Sequence, residues 1–183
     1  MKDSNSIIQV QDLSGYFFDR LYSINQKSVC PLPEETLFYS SNILNKYSIS
    51  TEYHEHTDGK VSEKIFGIKL LEASTKSKVE SRKLYKDIAD TTLVLTGFFG
   101  DSINKKIIDR SYYIQIGKMA YTKMYSMDES FFGNPHFYKM MATSFEHLSC
   151  MMSSLNKKES LLSFKEEESK LYELDFLSNK NVS

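Results

Sequence analysis

Leu93-Val-Leu-Thr-Gly-Phe-Phe-Gly-Asp101, followed by Ser111-Tyr-Tyr-Ile-Gln-Ile-Gly-Lys-Met-Ala-Tyr121, decides the fold class. Both runs read as helical, and both combine aromatic residues with glycine. Glycine inside a helix costs about 1 kcal/mol relative to alanine. Gly97 therefore implies a compensating gain, and close helix packing is the simplest source. Gly117 with Ala120 would admit Phe98, Phe99 or a neighbouring backbone in the same way. The two runs thus predict an intimate helix–helix contact at the centre of one domain.

Helical periodicity extends outward from this centre. Leu13, Phe17, Leu21 and Ile24 form one stripe, with Asp12 as a predicted N-cap. Pro33 suits the first position of a second helix, and Glu34 and Glu35 suit its positive end. Leu37, Ser41, Leu44 and Tyr47 continue that helix. Residues 50–60, ending in Thr57-Asp-Gly-Lys60, read as a polar connection. A third helix is expected from near Ser62; Ile65, Phe66, Ile68, Leu70 and Leu71 point nearly all round, which predicts burial. A polar break at residues 75–81 precedes a long helix carrying Leu84, Ile88, Leu95 and Phe99, with Gly100 as its C′ residue.

The next helix is expected over about 106–127. After the turn Phe131-Phe-Gly-Asn-Pro135, a single amphipathic helix carries Phe137, Met141, Phe145, Leu148, Met152 and Leu155. A weaker charged helix over 161–177 and a frayed tail over 178–183 complete the chain. No strand is expected. The reading is an all-α, single-domain bundle of six or seven helices over residues 1–177.

Composition excludes several classes. The chain has 183 residues, 40% hydrophobic and 26% charged, with net charge −1. That suits a globular domain and supplies no global field for nucleic acid. No membrane span is expected. No secretory leader is recognisable in the first residues, and Cys30 and Cys150 read as free thiols of a reducing compartment. A cytoplasmic location follows as an expectation. The Lys-, Asn-, Ser-, Ile- and Tyr-rich composition suits a bacterial source.

No catalytic residue is assignable. The sequence holds no phosphate loop and no dinucleotide fingerprint, so no cofactor is expected. His54 and His56, in Tyr53-His-Glu-His-Thr-Asp58, could offer metal ligands. A His-X-His in a polar loop ordinarily faces water, so no tight metal site is expected. His147 and Cys150 share a helix face, without further support as a nucleophile pair.

Binding surfaces are the remaining candidates. Seven of eight methionines lie between Met119 and Met152, and such side chains fill cores or form adaptable grooves. Met140 and Met151, on the second face of their helix, are the candidate groove residues. Lys105, Lys106 and Arg110 form a short basic patch that could meet an acidic partner. Tyr112, Tyr113 and Tyr121 could instead line a pocket for a small molecule or cofactor.

Gly97-Phe-Phe, Asp109 with Tyr112-Tyr113, and Ile116-Gly117 with Ala120-Tyr121 together resemble a family of uncharacterised proteobacterial helical proteins. The shared core is GFF…DxxYYxxxGxxAY, over roughly residues 60–125. The resemblance implies a helical fold and no assigned activity. A looser similarity is to RomX-type polarity proteins, which implies a small GTPase or polarity factor as partner. Two functional expectations stand. One is a non-catalytic interaction or regulatory protein; the other is a small-molecule binder, or enzyme, with a tyrosine-lined pocket. An exposed apolar patch favours the first, a deep closed pocket the second.

Overall fold

Seven helices and one short hairpin make up the described residues, which in this computed structural model are 13–48, 54–57, 60–63, 66–100 and 109–155. The helices are α1 (Leu13–Asn25), α2 (Glu34–Lys46), α3 (Phe66–Thr75), α4 (Lys78–Gly97), α5 (Arg110–Ser126), α6 (Phe137–Thr143) and α7 (Phe145–Ser154). The architecture is all-α, and one apolar core draws on every helix. The expected helix at 161–177, the tail beyond it, Asp12, and Lys105 with Lys106 lie outside the described residues.

α4 is the central pillar. It packs most extensively on α5, and also on α3 and α7; α1 pairs with α2, and α5 with α6. Its start is fixed by a capping box, in which the Ser77 side chain and the Glu80 backbone and side chain satisfy each other. The polar break at 75–81 is therefore the boundary between α3 and α4.

The expected close contact is present, with an additional partner. A Cβ on Gly117 would collide with the Phe145 ring and with Thr92 Oγ1. A Cβ on Gly97 would lie 2.7 Å from Met152 Cβ and 3.0 Å from the Ser149 carbonyl oxygen. Both glycines thus admit α7 against the α4–α5 pair. Phe145, rather than Phe98 or Phe99, fills the Gly117 notch. Phe98 instead meets Phe17 edge-on at 6.3 Å.

Several boundaries differ from the sequence reading. Residues 54–57 and 60–63 pair as antiparallel strands β1 (His54–Thr57) and β2 (Lys60–Glu63), with Thr57 opposite Lys60. The sequence between the strands, Asp58-Gly59, is a combination favoured in two-residue hairpin turns. α3 begins at Phe66, and Ile68 and Leu71 are 52% and 71% exposed. A ten-residue helix against α4 and α5 has a single inner face, which Phe66 and Ala73 occupy. α4 ends at Gly97, and Gly100 is not left-handed, because Gly133 is the one described glycine with positive φ. α5 begins at Arg110, where the Asp109 carboxylate accepts from the Ser111 N–H. Pro33 takes the N-cap of α2, one place before the expected position.

The helix expected from Pro135 onward is two helices. Ser144 interrupts it, with φ −92° and ψ 9°. Thr143 Oγ1 donates to the Met140 carbonyl at 3.0 Å, and the Ser144 N–H donates to the same oxygen at 2.9 Å. A hydroxyl that shares a helical carbonyl in this way bends the ladder.

Candidate functional site

Asp90 is the most deeply placed charge among the described residues. It sits in the middle of α4, 2% exposed, in the apolar run around Ile88, Ala89, Leu93 and Val94. An isolated carboxylate there would be prohibitive; one surrounded by donors is tolerated. Tyr39 of α2 donates to Asp90 Oδ1 at 2.8 Å. Tyr121 of α5 donates to the same oxygen at 2.9 Å. Lys86, one turn before Asp90, donates to Oδ2 at 2.6 Å and to the Tyr39 hydroxyl at 2.6 Å. Three helices are thereby bound through one carboxylate.

The environment acts on the tyrosines in one direction. Burial pushes the Tyr39 and Tyr121 hydroxyls well above the ordinary phenol range, and the Asp90 charge adds to it. Tyr138 is pushed up to about 12, again mainly by burial, with Asp90 second. These phenols stay protonated, and Tyr39 and Tyr121 donate to Asp90. They are not poised as bases or nucleophiles at neutral pH.

A cleft of about 280 Å³ opens above this cluster, walled by Phe38, Ile43, Phe131, Phe132 and Tyr138, with Tyr39, Asn42, Lys46, Lys86 and Asp90 as its polar lining. Its far wall is a tight turn. Phe131 and Asn134 bridge through both backbone bonds, at 3.3 and 2.9 Å. Between them Phe132 and Gly133 have φ of 48° and 78°. Two successive positive φ values are the pattern of a type I′ turn, which normally takes Asn, Asp or Gly at the first position. A phenylalanine there is strained. The turn holds Phe132 78% exposed, 5.8 Å from the Phe38 ring, itself 42% exposed.

The residues singled out from sequence do not assemble into one site. Tyr112 lies over Gly67 of α3, and Tyr113 packs edge-on against Phe66 at 5.9 Å. Tyr121 is two turns further along α5, in the Asp90 cluster. The three therefore line no common pocket. Met151 is fully buried, because α4 and α1 both pack on α7; Met140 is half-buried. The second face of α7 accordingly offers no open groove at Met151. Arg110 is not a free surface cation: its Nε donates to the Thr96 carbonyl at 3.2 Å, and a terminal nitrogen donates to Ser149 Oγ at 3.0 Å. It satisfies a carbonyl in the last turn of α4, where a cation is favoured.

His147 turns toward the α1–α2 connection, with Nε2 3.3 Å from Ser28 Oγ. No group of three or more His, Cys, Asp or Glu among the described residues could hold a metal ion. The side chains of His54 and His56 lie outside the described residues. Among the described residues, no helix is long and apolar enough to cross a membrane.

Sequence reasoning missed Asp90, Tyr39, Phe38 and Phe132. A carboxylate inside Ile88-Ala-Asp-Thr-Thr-Leu-Val94 with a lysine four residues earlier was the available signal. No family model, no curated protein and no solved structure matches this chain.

Proposed function

We propose that this protein is a non-catalytic interaction or regulatory protein of a bacterial cytoplasm, and that its partner docks on the aromatic rim formed by Phe38 and Phe132. The observation that carries the reading is Phe132 itself. A bulky side chain is held in left-handed backbone with most of its surface in water. Folding gains little from that arrangement, whereas a protein interface gains an aromatic anchor. The resemblance to polarity proteins would make the partner a small GTPase or polarity factor.

The cleft is a poor fit for the alternative, a small-molecule or cofactor site. Its rim is open, with Phe38 and Phe132 42% and 78% exposed, whereas a small-molecule site buries most of its ligand. Of its two tyrosines, Tyr39 is occupied in holding Asp90.

In-cell photo-crosslinking tests the proposal. p-Benzoylphenylalanine in place of Phe132 should give one discrete protein adduct, lost in a Phe38→Ala background. The same group in place of Leu71, exposed on α3, should not give it. No adduct at Phe132, or the same adducts at both positions, would refute the reading.

A further inference from the structure

The accessible charge lining the cleft is one-sided. Lys86 Nζ carries three N–H donors and spends two, on Asp90 and on the Tyr39 hydroxyl. Its side chain remains 44% exposed. Asn42 directs Nδ2 to the Phe38 carbonyl at 2.9 Å and accepts from Ser14 at Oδ1, so its second amide N–H is unspent among the described residues. Lys46 reaches the same cleft. The lining carboxylate, Asp90, already accepts three hydrogen bonds and is nearly inaccessible. The cleft thus offers ammonium and amide donors above an aromatic wall; its other acceptors are neutral, the Tyr39 and Tyr138 hydroxyls and Asn42 Oδ1, so its accessible charge is one-sided.

Size narrows the occupant further. A cleft of about 280 Å³ holds one large side chain with its immediate backbone. Resting on the docking reading above, we infer that the partner inserts a single large apolar side chain, with an adjacent Asp or Glu carboxylate accepting from Lys86 and Asn42. The aromatic ring or branched alkyl group stacks between Phe132 and Tyr138. The carboxylate takes the third Lys86 hydrogen without disturbing the Asp90 network. Aspartate or glutamate flanked by phenylalanine or leucine is therefore the recognised chemistry.

Blocked peptides added to the full isotope-labelled chain test this by NMR. The probes are Ac-Gly-Glu-Phe-Glu-Gly-NH2, the same peptide with Lys for Glu, the same with Ala for Phe, and free 3-phenylpropanoate. The Glu-Phe-Glu peptide should shift the amides of Asn42, Lys86, Phe132 and Gly133. Lys for Glu, Ala for Phe, or Phe132→Ala in the protein should each weaken binding by about tenfold. Phe132 is exposed, so its replacement leaves the fold intact. Equal binding of the Lys peptide at this cleft would overturn the acidic chemistry and leave the docking reading standing. Binding of phenylpropanoate as tight as the peptide would overturn a protein segment as occupant. An absence of shifts with the Glu-Phe-Glu peptide would overturn the inference, while the crosslinking result separately decides the docking face.

Discussion

Replacing Asp90 with alanine removes the acceptor for two tyrosine hydroxyls and one ammonium. The two hydroxyls are buried in α2 and α5. Each loses its hydrogen bond without gaining water, at about 1–3 kcal/mol. Lys86 adds little, since its side chain is 44% exposed and its ammonium can hydrate. The sum is about 2–6 kcal/mol, a large share of the roughly 5–15 kcal/mol that holds a domain together. Tyr39 has a second neighbour in Tyr138, which favours the lower half of that range. The same reasoning makes a stronger demand on a triple variant. Asp90→Leu with Tyr39→Phe and Tyr121→Phe deletes donors and acceptor together, so it should recover most of the loss. Urea unfolding of wild type, single and triple variants measures both effects. A triple variant as unstable as Asp90→Ala would refute the orphaned-donor argument. So would an Asp90→Ala protein within about 1 kcal/mol of wild type.

Three further outcomes follow from the packing and the charges. Tyr39, Tyr121 and Tyr138 have folded pKa values above that of an exposed phenol, so the unfolded chain loses those protons first as pH rises. The contribution of these tyrosines to stability should be level between neutral pH and about pH 10 and fall above it by about 1.4 kcal/mol per pH unit for each of them; urea midpoints unchanged at alkaline pH would contradict this. Gly117→Ala gains about 1 kcal/mol of helix propensity but drives a methyl group into the buried Phe145 ring. The net effect should be a loss of about 1–3 kcal/mol, read as a lower melting temperature; an unchanged melt would mean that the ring yields. Arg110→Met removes the bonds to Thr96 and Ser149 and should cost about 1–3 kcal/mol. Hydrogen exchange at the end of α4 should rise with it, and unaltered protection there would dismiss the role.

Much of the bundle was legible because burial and helical period coincide. Leu21, Ile24, Leu37, Leu44, Ile88, Met141 and Leu148 were all read as inward and are all buried. The glycines at 97 and 117 signalled close approach, but local sequence could not say that α7 was the visitor. The hairpin was missed because its strands are polar, although Asp58-Gly59 carried a turn signal. The Ser144 jog was missed because the apolar spacing runs through it undisturbed. The site was the least legible part. Asp90, Tyr39 and Tyr121 lie far apart in sequence and meet only through tertiary packing. Phe132 is more instructive: a phenylalanine before glycine in a turn looks like poor turn chemistry, and that mismatch was itself the clue.

Arg110 has a consequence beyond its two hydrogen bonds. It joins the end of α4 to the start of α5, so the two helices are held there by a side-chain clasp as well as by the chain itself. Loop-closure entropy grows only logarithmically, at about 0.6 kcal/mol for each doubling of length. Closure entropy between the two helix ends therefore changes little with the length of chain that joins them, as long as the clasp holds.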